Sequence, residues 1–276
     1  MKHAAVIGWP VEHSRSPLIH RYWLDKYKIA GSYKKHAVAP EQLREFLKTL
    51  EANGLEGCNV TVPHKEAAFA IADIKDVSAL AVGAANTIWR EGPLIACANT
   101  DTYGFMRHLE LSAPQWSRND GPVSILGAGG AARAIVAGFL QSGGRDILVF
   151  NRSRERAEVL ARHFGPKVAV LDWEQRTPSS KSASVIVNTT SLGLNGEGSP
   201  GIDFKEIGHG CVVADIVYVP LETEFLKAAR LHGLATVDGL GMLLHQAVPG
   251  FEKWFGRRPE VTADLRAKIV ASIGAS

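Results

Sequence analysis

A glycine-rich turn between a strand-like run and a helix-like run constrains the fold of this chain more than any other feature. The predicted strand 123–126 leads into a turn with the spacing G-x-G-x-x-A, and a helix is predicted at 131–141. Glycines at such a turn let backbone N–H groups approach a pyrophosphate, whose charge the helix N-terminus stabilises. The turn predicts a dinucleotide-binding α/β domain, and a glycine-tolerant turn without a ligand is the alternative. Its residues are Gly127, Ala128, Gly129, Gly130 and Ala131.

The next predicted strand, 146–150, indicates which dinucleotide binds. NAD-binding domains place an acidic residue about 20 residues beyond the glycine turn, where it holds the ribose 2′-hydroxyl. No acid stands at this strand end, which runs into Asn151 and the basic cluster Arg152, Ser153 and Arg156. Arginine binds a 2′-phosphate through charge-assisted bidentate hydrogen bonds, so these three residues predict NADP. Alternatively, Ser153 caps a helix and the arginines form a solvated face.

Alternating apolar and helical runs predict two α/β units. Strands alternate with helices from about residue 120 onward, which predicts a parallel sheet with right-handed crossovers. In the first half, Ser16 is predicted to be the N-cap of a helix that Pro17 begins. The other predicted elements there are strands at 4–8 and 57–62, helices at 40–53 and 65–74, and a hairpin within 86–98; two helices follow at 241–255 and 261–273.

Neutral polar side chains recur at or just beyond the ends of predicted strands in the first half. In an open α/β sheet, ligands bind at the carboxyl edge of the strands. A small ligand with several hydroxyls and one carboxylate would use such a set, and serines near a helix N-terminus suit the carboxylate. Taken singly, each residue is also a plausible cap or turn residue. The set is Ser14, Ser16, Asn59, Thr61, Asn86 and Thr100.

Lys65 and Asp101 are a pair of opposite charge in the same stretches of sequence as these polar residues. Reduction of a carbonyl by hydride needs a proton for the new alkoxide, and a lysine held by an aspartate can deliver it. The alternative is a surface salt bridge, which contributes ~0–1 kcal/mol.

Composition excludes several other classes of protein. The 276 residues include 31 Lys+Arg and 28 Asp+Glu, and this net charge of +3 does not favour a nucleic-acid or membrane partner. Three isolated cysteines predict no disulfide framework, and the histidines show no metal-ligand spacing, so no metal site is expected. The chain shows no signal peptide and no membrane-spanning run, which predicts a cytoplasmic protein.

Several ordered motifs resemble the shikimate/quinate dehydrogenase family from end to end. The family implies two α/β domains around a cleft: a substrate domain at 1–101 plus 240–276 and a Rossmann-like NADP-binding domain at 102–239. It also implies reversible NADPH-dependent reduction of 3-dehydroshikimate to shikimate in aromatic amino-acid biosynthesis. The motifs are GWPVEHSRSPLIH (8–20), NVTVPHK (59–65), GAANT (83–87), NTDTYGF (99–105), GAGGAARA (127–134), NRS (151–153), NTTSLG (188–193), DIVYVPLET (215–223) and DGLGMLLHQA (238–247).

The resemblance also implies roles for individual residues. Lys65 and Asp101 match the catalytic pair, and Ser14 and Ser16 match the carboxylate-binding serines. Other contacts to the substrate correspond to Asn59, Thr61, Asn86, Tyr218 and Gln246, with Asp101 among them. Cofactor contacts correspond to the glycine turn, Asn151, Arg152, Ser153 and Arg156, with Thr189, Ile216, Gly239 and Met242 near the nicotinamide.

Three alternatives to an NADP-dependent shikimate dehydrogenase remain open. One is a quinate/shikimate dehydrogenase that uses NAD, which the missing acid after the second Rossmann strand disfavours. Another is a non-catalytic sensor of a shikimate-like ligand, which the presence of Lys65 and Asp101 disfavours. The third is a Rossmann oxidoreductase for an unrelated acid, which the polar set of the first half disfavours. Ser153 replaces the threonine common in the family but keeps the hydroxyl, and the chain is expected to be a monomer or homodimer.

Overall fold

The computed structural model describes residues 1–273, and its internal contacts divide the chain into two compact units. Unit 1 comprises residues 1–102 and 244–273, and unit 2 comprises residues 103–243. The sequence predicted boundaries after residues 101 and 239, whereas the contacts place 240–243 in unit 2. The reason is local packing, because Leu240 is fully buried and Met242 packs against the core of unit 2.

Unit 1 is built on a mixed six-stranded sheet. Its strands are β1 (Lys2–Gly8), β2 (Gly31–Ala37), β3 (Gly57–Val60), β4 (Ile74–Lys75), β5 (Thr87–Glu91) and β6 (Leu94–Ala98). They lie in the order β2-β1-β3-β5-β6-β4. β1 pairs in parallel with β2 and β3, and β5 pairs antiparallel with β3 and β6. The hairpin predicted within 86–98 is therefore confirmed, and it introduces the antiparallel part of the sheet.

Four helices belong to the first part of unit 1: α1 (Ser16–Tyr27), α2 (Leu43–Lys48), α3 (Lys65–Ile71) and α4 (Val77–Val82). The prediction that Ser16 is the N-cap of α1 is wrong, because Arg15 occupies that position and Ser16 is the first helical residue. The Ser16 N–H is instead bound by Ser14 Oγ at 3.3 Å. The helix predicted at 40–53 is shorter than expected, since Thr49 ends α2 and its hydroxyl donates to the Glu45 carbonyl at 2.8 Å.

Unit 2 contains an all-parallel sheet of six strands, as the alternating pattern predicted. After α5 (Asp101–Ser112), its strands are β7 (Val123–Leu126), β8 (Ile147–Phe150), β9 (Val168–Leu171), β10 (Val185–Asn188), β11 (Val212–Asp215) and β12 (Ala235–Val237). Its helices are α6 (Gly130–Gln141), α7 (Arg154–Phe164) and α8 (Glu224–Leu231). The order β12-β11-β10-β7-β8-β9 reverses direction between β10 and β7. Ligands of doubly wound sheets bind at such a switch point.

Two helices end the described chain, α9 (Gly239–Phe255) and α10 (Ala263–Ile273). α9 continues through Pro249, where the sequence predicted a disturbance. From residue 244 onward these helices belong to unit 1. Trp254 Nε1 donates to the Ile88 carbonyl of β5 at 3.0 Å, and Trp23 Nε1 donates to the Glu260 carbonyl at 2.9 Å. These two bonds attach the C-terminal helices to the sheet and to α1.

Each unit has its own apolar core beside its sheet. The three cysteines are part of these cores: Cys58 and Cys97 are buried in unit 1, and Cys211 is buried in unit 2. Within residues 1–273, no helix combines the length and apolarity needed to cross a bilayer.

Candidate active site

Lys65 and Asp101 form an ion pair at the centre of the polar cluster of unit 1. Lys65 is the first residue of α3 and Asp101 the first residue of α5, so two helix starts bring them together. Lys65 Nζ lies 2.6 Å from Asp101 Oδ2, and the lysine side chain is 27% exposed while that of Asp101 is 9% exposed. The pair is therefore not the exposed surface salt bridge that was the alternative. Lys65 is the more exposed partner of the pair, so its ammonium group is accessible to a ligand.

Asn86 connects this pair to the rest of the cluster. Its Nδ2 donates to Asp101 Oδ1 at 2.8 Å and lies 3.5 Å from Gln246 Oε1 of α9. Its Oδ1 accepts from the Thr100 backbone N–H at 2.8 Å and from the Thr87 hydroxyl at 3.0 Å. These contacts fix the orientation of the Asn86 amide, and Asp101 is held on Oδ1 by Asn86 and on Oδ2 by Lys65.

Asn59 lies on the next strand and is held in the same way. Its Nδ2 donates to the Asn86 carbonyl at 3.0 Å and to the Thr87 hydroxyl at 3.3 Å. Its Oδ1 accepts from the Tyr33 hydroxyl at 2.6 Å. Burial holds the pKa of Tyr33 well above its usual range, and the neighbouring Ser16 side chain acts in the opposite direction. Tyr33 is thus a neutral donor placed between Ser16 and Asn59.

The remaining predicted substrate residues are divided between the two units: three lie in unit 1 and one lies in unit 2. Ser14 and Ser16 adjoin the start of α1, and Thr61 follows β3 in the turn that leads to Lys65. Tyr218, by contrast, is half-buried in unit 2, in the segment after β11. The structure therefore brings Lys65, Asn86, Asp101 and Gln246 into one hydrogen-bonded group, with Asn59 bonded to the Asn86 backbone.

The glycine turn of unit 2 has the shape that the sequence predicted. Gly127 follows β7 with φ +113°, and an added Cβ would lie 2.7 Å from Thr189 Oγ1, so only glycine fits there. Gly129 is the N-cap of α6, and an added Cβ at Gly129 or Gly130 would meet nothing within 4 Å. The space beside the start of α6 is thus open, and the first turn of a helix directs backbone N–H groups outward. A dinucleotide pyrophosphate fits that space and polarity.

The arginines after β8 have different environments. Arg154 is paired with Glu158 Oε1 at 3.0 Å and with Asp172 Oδ1 at 2.5 Å, and these two hydrogen bonds raise its pKa. Arg152 and Arg156 are exposed and make no ion pair within residues 1–273. Ser153 occupies the N-cap position of α7, but its hydroxyl makes no capping bond. Two arginines and one hydroxyl are therefore available for a phosphate.

The residues predicted near the nicotinamide follow strands β10, β11 and β12 of unit 2. Thr189 follows β10, and its hydroxyl donates to the Leu126 carbonyl at 2.8 Å. Ile216 follows β11, and Gly239 packs so closely on the Ile216 carbonyl that no Cβ would fit. Ile216 and Met242 are both half-buried against the core of unit 2.

Comparison with known proteins identifies the family. Three family models match: the shikimate dehydrogenase substrate binding domain at residues 6–88, shikimate / quinate 5-dehydrogenase at 111–193, and the shikimate 5'-dehydrogenase C-terminal domain at 239–267. The shikimate dehydrogenase (NADP(+)) of Azorhizobium caulinodans is 51% identical over 275 residues, covering 100% of this chain and 98% of the relative. The chain belongs to the shikimate dehydrogenase family.

Solved structures of the shikimate dehydrogenase family and of a quinate dehydrogenase have the same fold. The Thermus thermophilus shikimate 5-dehydrogenase in complex with NADP(H) and shikimate matches with a TM-score of 0.86 at 33% identity, covering 99% of this chain and 100% of that chain. A quinate dehydrogenase from Corynebacterium glutamicum in complex with NAD matches with a TM-score of 0.89 at 28% identity, covering 98% of this chain and 99% of that one. Fold alone therefore does not separate the two substrates or the two cofactors.

Sequence reasoning missed two residues that support the shikimate dehydrogenase site. Tyr33, which holds Asn59, lies on β2, whose residues GSYKKHA show no apolar alternation. Thr87, which bonds both Asn59 and Asn86, lies beside Asn86 in the sequence but was not predicted to be a site residue. Neither side chain carries a signal in the sequence that would distinguish it from an ordinary strand residue.

Proposed function

We propose that this chain catalyses the reversible NADPH-dependent reduction of 3-dehydroshikimate to shikimate in aromatic amino-acid biosynthesis. The observation that carries the proposal is the Lys65–Asp101 ion pair at 2.6 Å, joined through Asn86 to Gln246. Family membership and the match to a dehydrogenase that holds NADP(H) and shikimate support it. In this proposal Ser14 and Ser16 bind the substrate carboxylate, while Asn59, Thr61, Asn86, Tyr218 and Gln246 bind its hydroxyls.

The cofactor in this proposal is NADP, held by residues of unit 2. The glycine turn and the start of α6 bind the pyrophosphate, and Asn151, Arg152, Ser153 and Arg156 bind the 2′-phosphoadenosine end. Thr189, Ile216, Gly239 and Met242 lie at the nicotinamide end. When bound, NADPH supplies the hydride that the ketone carbon of the substrate accepts.

Lys65 supplies the proton for the substrate oxygen. An ammonium group has three donors, and Lys65 uses one of them on Asp101 Oδ2, which leaves donors for a ligand. A hydrogen bond from this ammonium stabilises the alkoxide as its charge develops, and proton transfer at Nζ neutralises it. Asp101 is held on its second oxygen by Asn86, so it orients the lysine and balances its charge.

Steady-state kinetics with two substrates and two cofactors tests the proposed activity. We expect strong reduction of NADP⁺ with shikimate. Turnover with NAD⁺ should be weak because Arg152 and Arg156 suit a 2′-phosphate, and turnover with quinate should be weak because the serine pair Ser14 and Ser16 is intact. Preference for quinate or NAD⁺ would keep the fold and overturn the specificity. Absence of turnover in all four pairings, with ligand binding intact, would favour a sensor.

Replacement of the lysine tests the proposed mechanism. We expect Lys65→Met to lower kcat by about 10²–10⁴-fold with a smaller change in KM. Lys48→Met, at an exposed lysine of α2, is the control and should leave kcat unchanged. Lys65→Arg keeps the charge but cannot release a proton, so partial rescue by arginine would show electrostatic stabilisation alone. A raised KM with normal kcat in Lys65→Met would contradict both roles.

The setting of the reaction is also part of the proposal. We expect the protein to act in the cytoplasm as a monomer or homodimer, without nucleic-acid or membrane partners. The net charge of +3 and the three buried, unpaired cysteines are the observations in favour.

A further inference from the structure

Asp215 is a buried carboxylate to which the proposed mechanism gives no role. It ends β11 and is 1% exposed. Its Oδ1 accepts from Asn188 Nδ2 at 3.0 Å and from the Val217 N–H at 2.9 Å, and its Oδ2 accepts from the Thr223 hydroxyl at 2.7 Å. Burial raises its pKa to about 6, although these hydrogen bonds act in the opposite direction. The donors that hold Asp215 are a side-chain amide, a backbone N–H and a hydroxyl, and no cationic side chain within residues 1–273 is paired with it.

The first of these donors, Asn188, organises the segment 188–193 after β10. Asn188 Oδ1 accepts from the Thr190 backbone N–H at 3.0 Å and from the Thr190 hydroxyl at 2.7 Å. Its Nδ2 also donates to the Leu192 carbonyl at 2.9 Å. The amide cannot turn over without losing these bonds, so its N–H groups stay directed at Asp215.

The other two donors bracket the segment 216–223 after β11. Val217 stands near its start, where the Ile216 N–H also donates to the Asn188 carbonyl at 3.1 Å. Thr223 stands at its end as the N-cap of α8, where its hydroxyl oxygen accepts from the Leu226 N–H at 3.3 Å. One carboxylate therefore joins both ends of the segment to β10. Ile216 and Tyr218, the residues proposed to contact nicotinamide and substrate, lie on this segment.

We infer that Asp215 is a positioning residue that fixes Ile216 for the nicotinamide end of the cofactor and Tyr218 for a substrate hydroxyl, acting through Asn188, Val217 and Thr223. The inference rests on the proposed function. The hydrogen bonds of Asp215 do not include Arg152 or Arg156, which follow a different strand, β8. Its loss should therefore disturb one end of the cofactor and spare the other.

Kinetics of two substitutions at Asp215 test the inference. Asp215→Ala leaves three donors without an acceptor, and we expect kcat to fall by about 10²-fold, because small misplacements near the reacting groups have effects of that order. Asp215→Asn keeps one oxygen for Asn188 and Val217 and should restore part of kcat. Equal kcat in Asp215→Ala and wild type would overturn the inference.

Binding provides a readout that does not depend on turnover. We expect Asp215→Asn to bind 2′-phosphoadenosine 5′-diphosphoribose, which lacks nicotinamide, with wild-type affinity. It should bind NADP⁺ more weakly than wild type, and its amides at 216–223 should exchange hydrogen faster in the free protein. If the affinities for both ligands fell equally, unit 2 would have lost structure generally, and a positioning role for Asp215 would be contradicted.

Thr223 offers a matched pair of variants if Asp215→Ala does not fold. Thr223→Val removes the donor to Asp215, together with the capping acceptor of Leu226, at nearly constant shape. We expect about a tenfold loss in kcat, whereas Thr223→Ser keeps the hydroxyl and should behave like wild type. Equal kcat in the two variants would overturn the inference. Wild-type turnover is measured first, so a failure of the proposed function is seen separately, and the exchange measurement still tests the positioning of 216–223.

Discussion

His20 shows how one enclosed side chain makes stability depend on pH. It is fully buried, its ring stacks on Tyr33 with centroids 3.8 Å apart, and neither ring nitrogen has a partner of ordinary hydrogen-bond geometry in the described chain. Burial lowers its pKa to about 3, and the nearby Asn59 side chain opposes this drop. The folded protein therefore keeps His20 neutral at pH values where the unfolded chain binds a proton.

This difference predicts a loss of stability as pH falls from about 6.5 towards 3. Unfolding by urea at pH 7.5 and pH 5, followed by tryptophan fluorescence, measures it. At pH 5 the unfolded histidine contributes about 2 kcal/mol to the loss. We expect His20→Phe to abolish that part, and the exposed His209→Gln to retain it. An unchanged pH dependence in His20→Phe would refute this assignment.

At the scale of elements, the contact between α9 and β3 leaves no room for a side chain at Gly57. A Cβ there would lie 2.1 Å from the Ile88 carbonyl oxygen and 2.3 Å from Trp254 Nε1. We expect Gly57→Ala to displace Trp254, break its hydrogen bond to Ile88 and lower the free energy of unfolding by roughly 3 kcal/mol. Gly210→Ala is the control, because its added Cβ would meet only Asn119 Nδ2, at 3.5 Å. Equal urea midpoints for the two variants would contradict this packing.

Elements with a periodic apolar pattern could be predicted from the sequence, and those formed by tertiary packing could not. β7, α6 and β8 lie where the sequence placed them, because both faces of a parallel sheet are buried and its strands are mostly apolar. β2 was missed, because it is an edge strand whose Lys34 and Lys35 face solvent. α4 and β12 were also missed, since six and three residues are too few to show a period.

The site divides in the same way. Lys65, Asn86 and Asp101 could be predicted because carbonyl reduction needs a proton donor, a carboxylate to orient it and neutral hydrogen-bonding groups. The structure joins the three residues by hydrogen bonds. The support of Asn59 by Tyr33 and the anchoring of 216–223 by Asp215 could not be predicted. Both depend on strands that are adjacent in space, and no local pattern records that adjacency.

At the scale of the whole molecule, the separate cores of the two units predict separate responses to ligands. We expect shikimate alone to slow hydrogen exchange at 59–65 and 86–101, because the residues proposed to bind it in unit 1 lie there. NADP⁺ alone should slow exchange at 127–131 and 151–156 in unit 2. Mass spectrometry of peptides from the free and liganded protein measures both effects. Protection of 127–131 by shikimate alone would contradict this division of roles.

The three buried cysteines can react with a reagent only when the surrounding structure opens. The thiolate is the form of cysteine that attacks an alkylating reagent. Burial raises the pKa of Cys97 to about 11 and that of Cys211 to about 12, while the pKa of Cys58 rises further. Because all three thiols are buried, folded molecules are not expected to form disulfides with one another when no reductant is present. Two of the thiols belong to unit 1 and one to unit 2. The rate at which an alkylating reagent adds mass to each cysteine peptide therefore reports how often each unit opens, and one sample gives both rates.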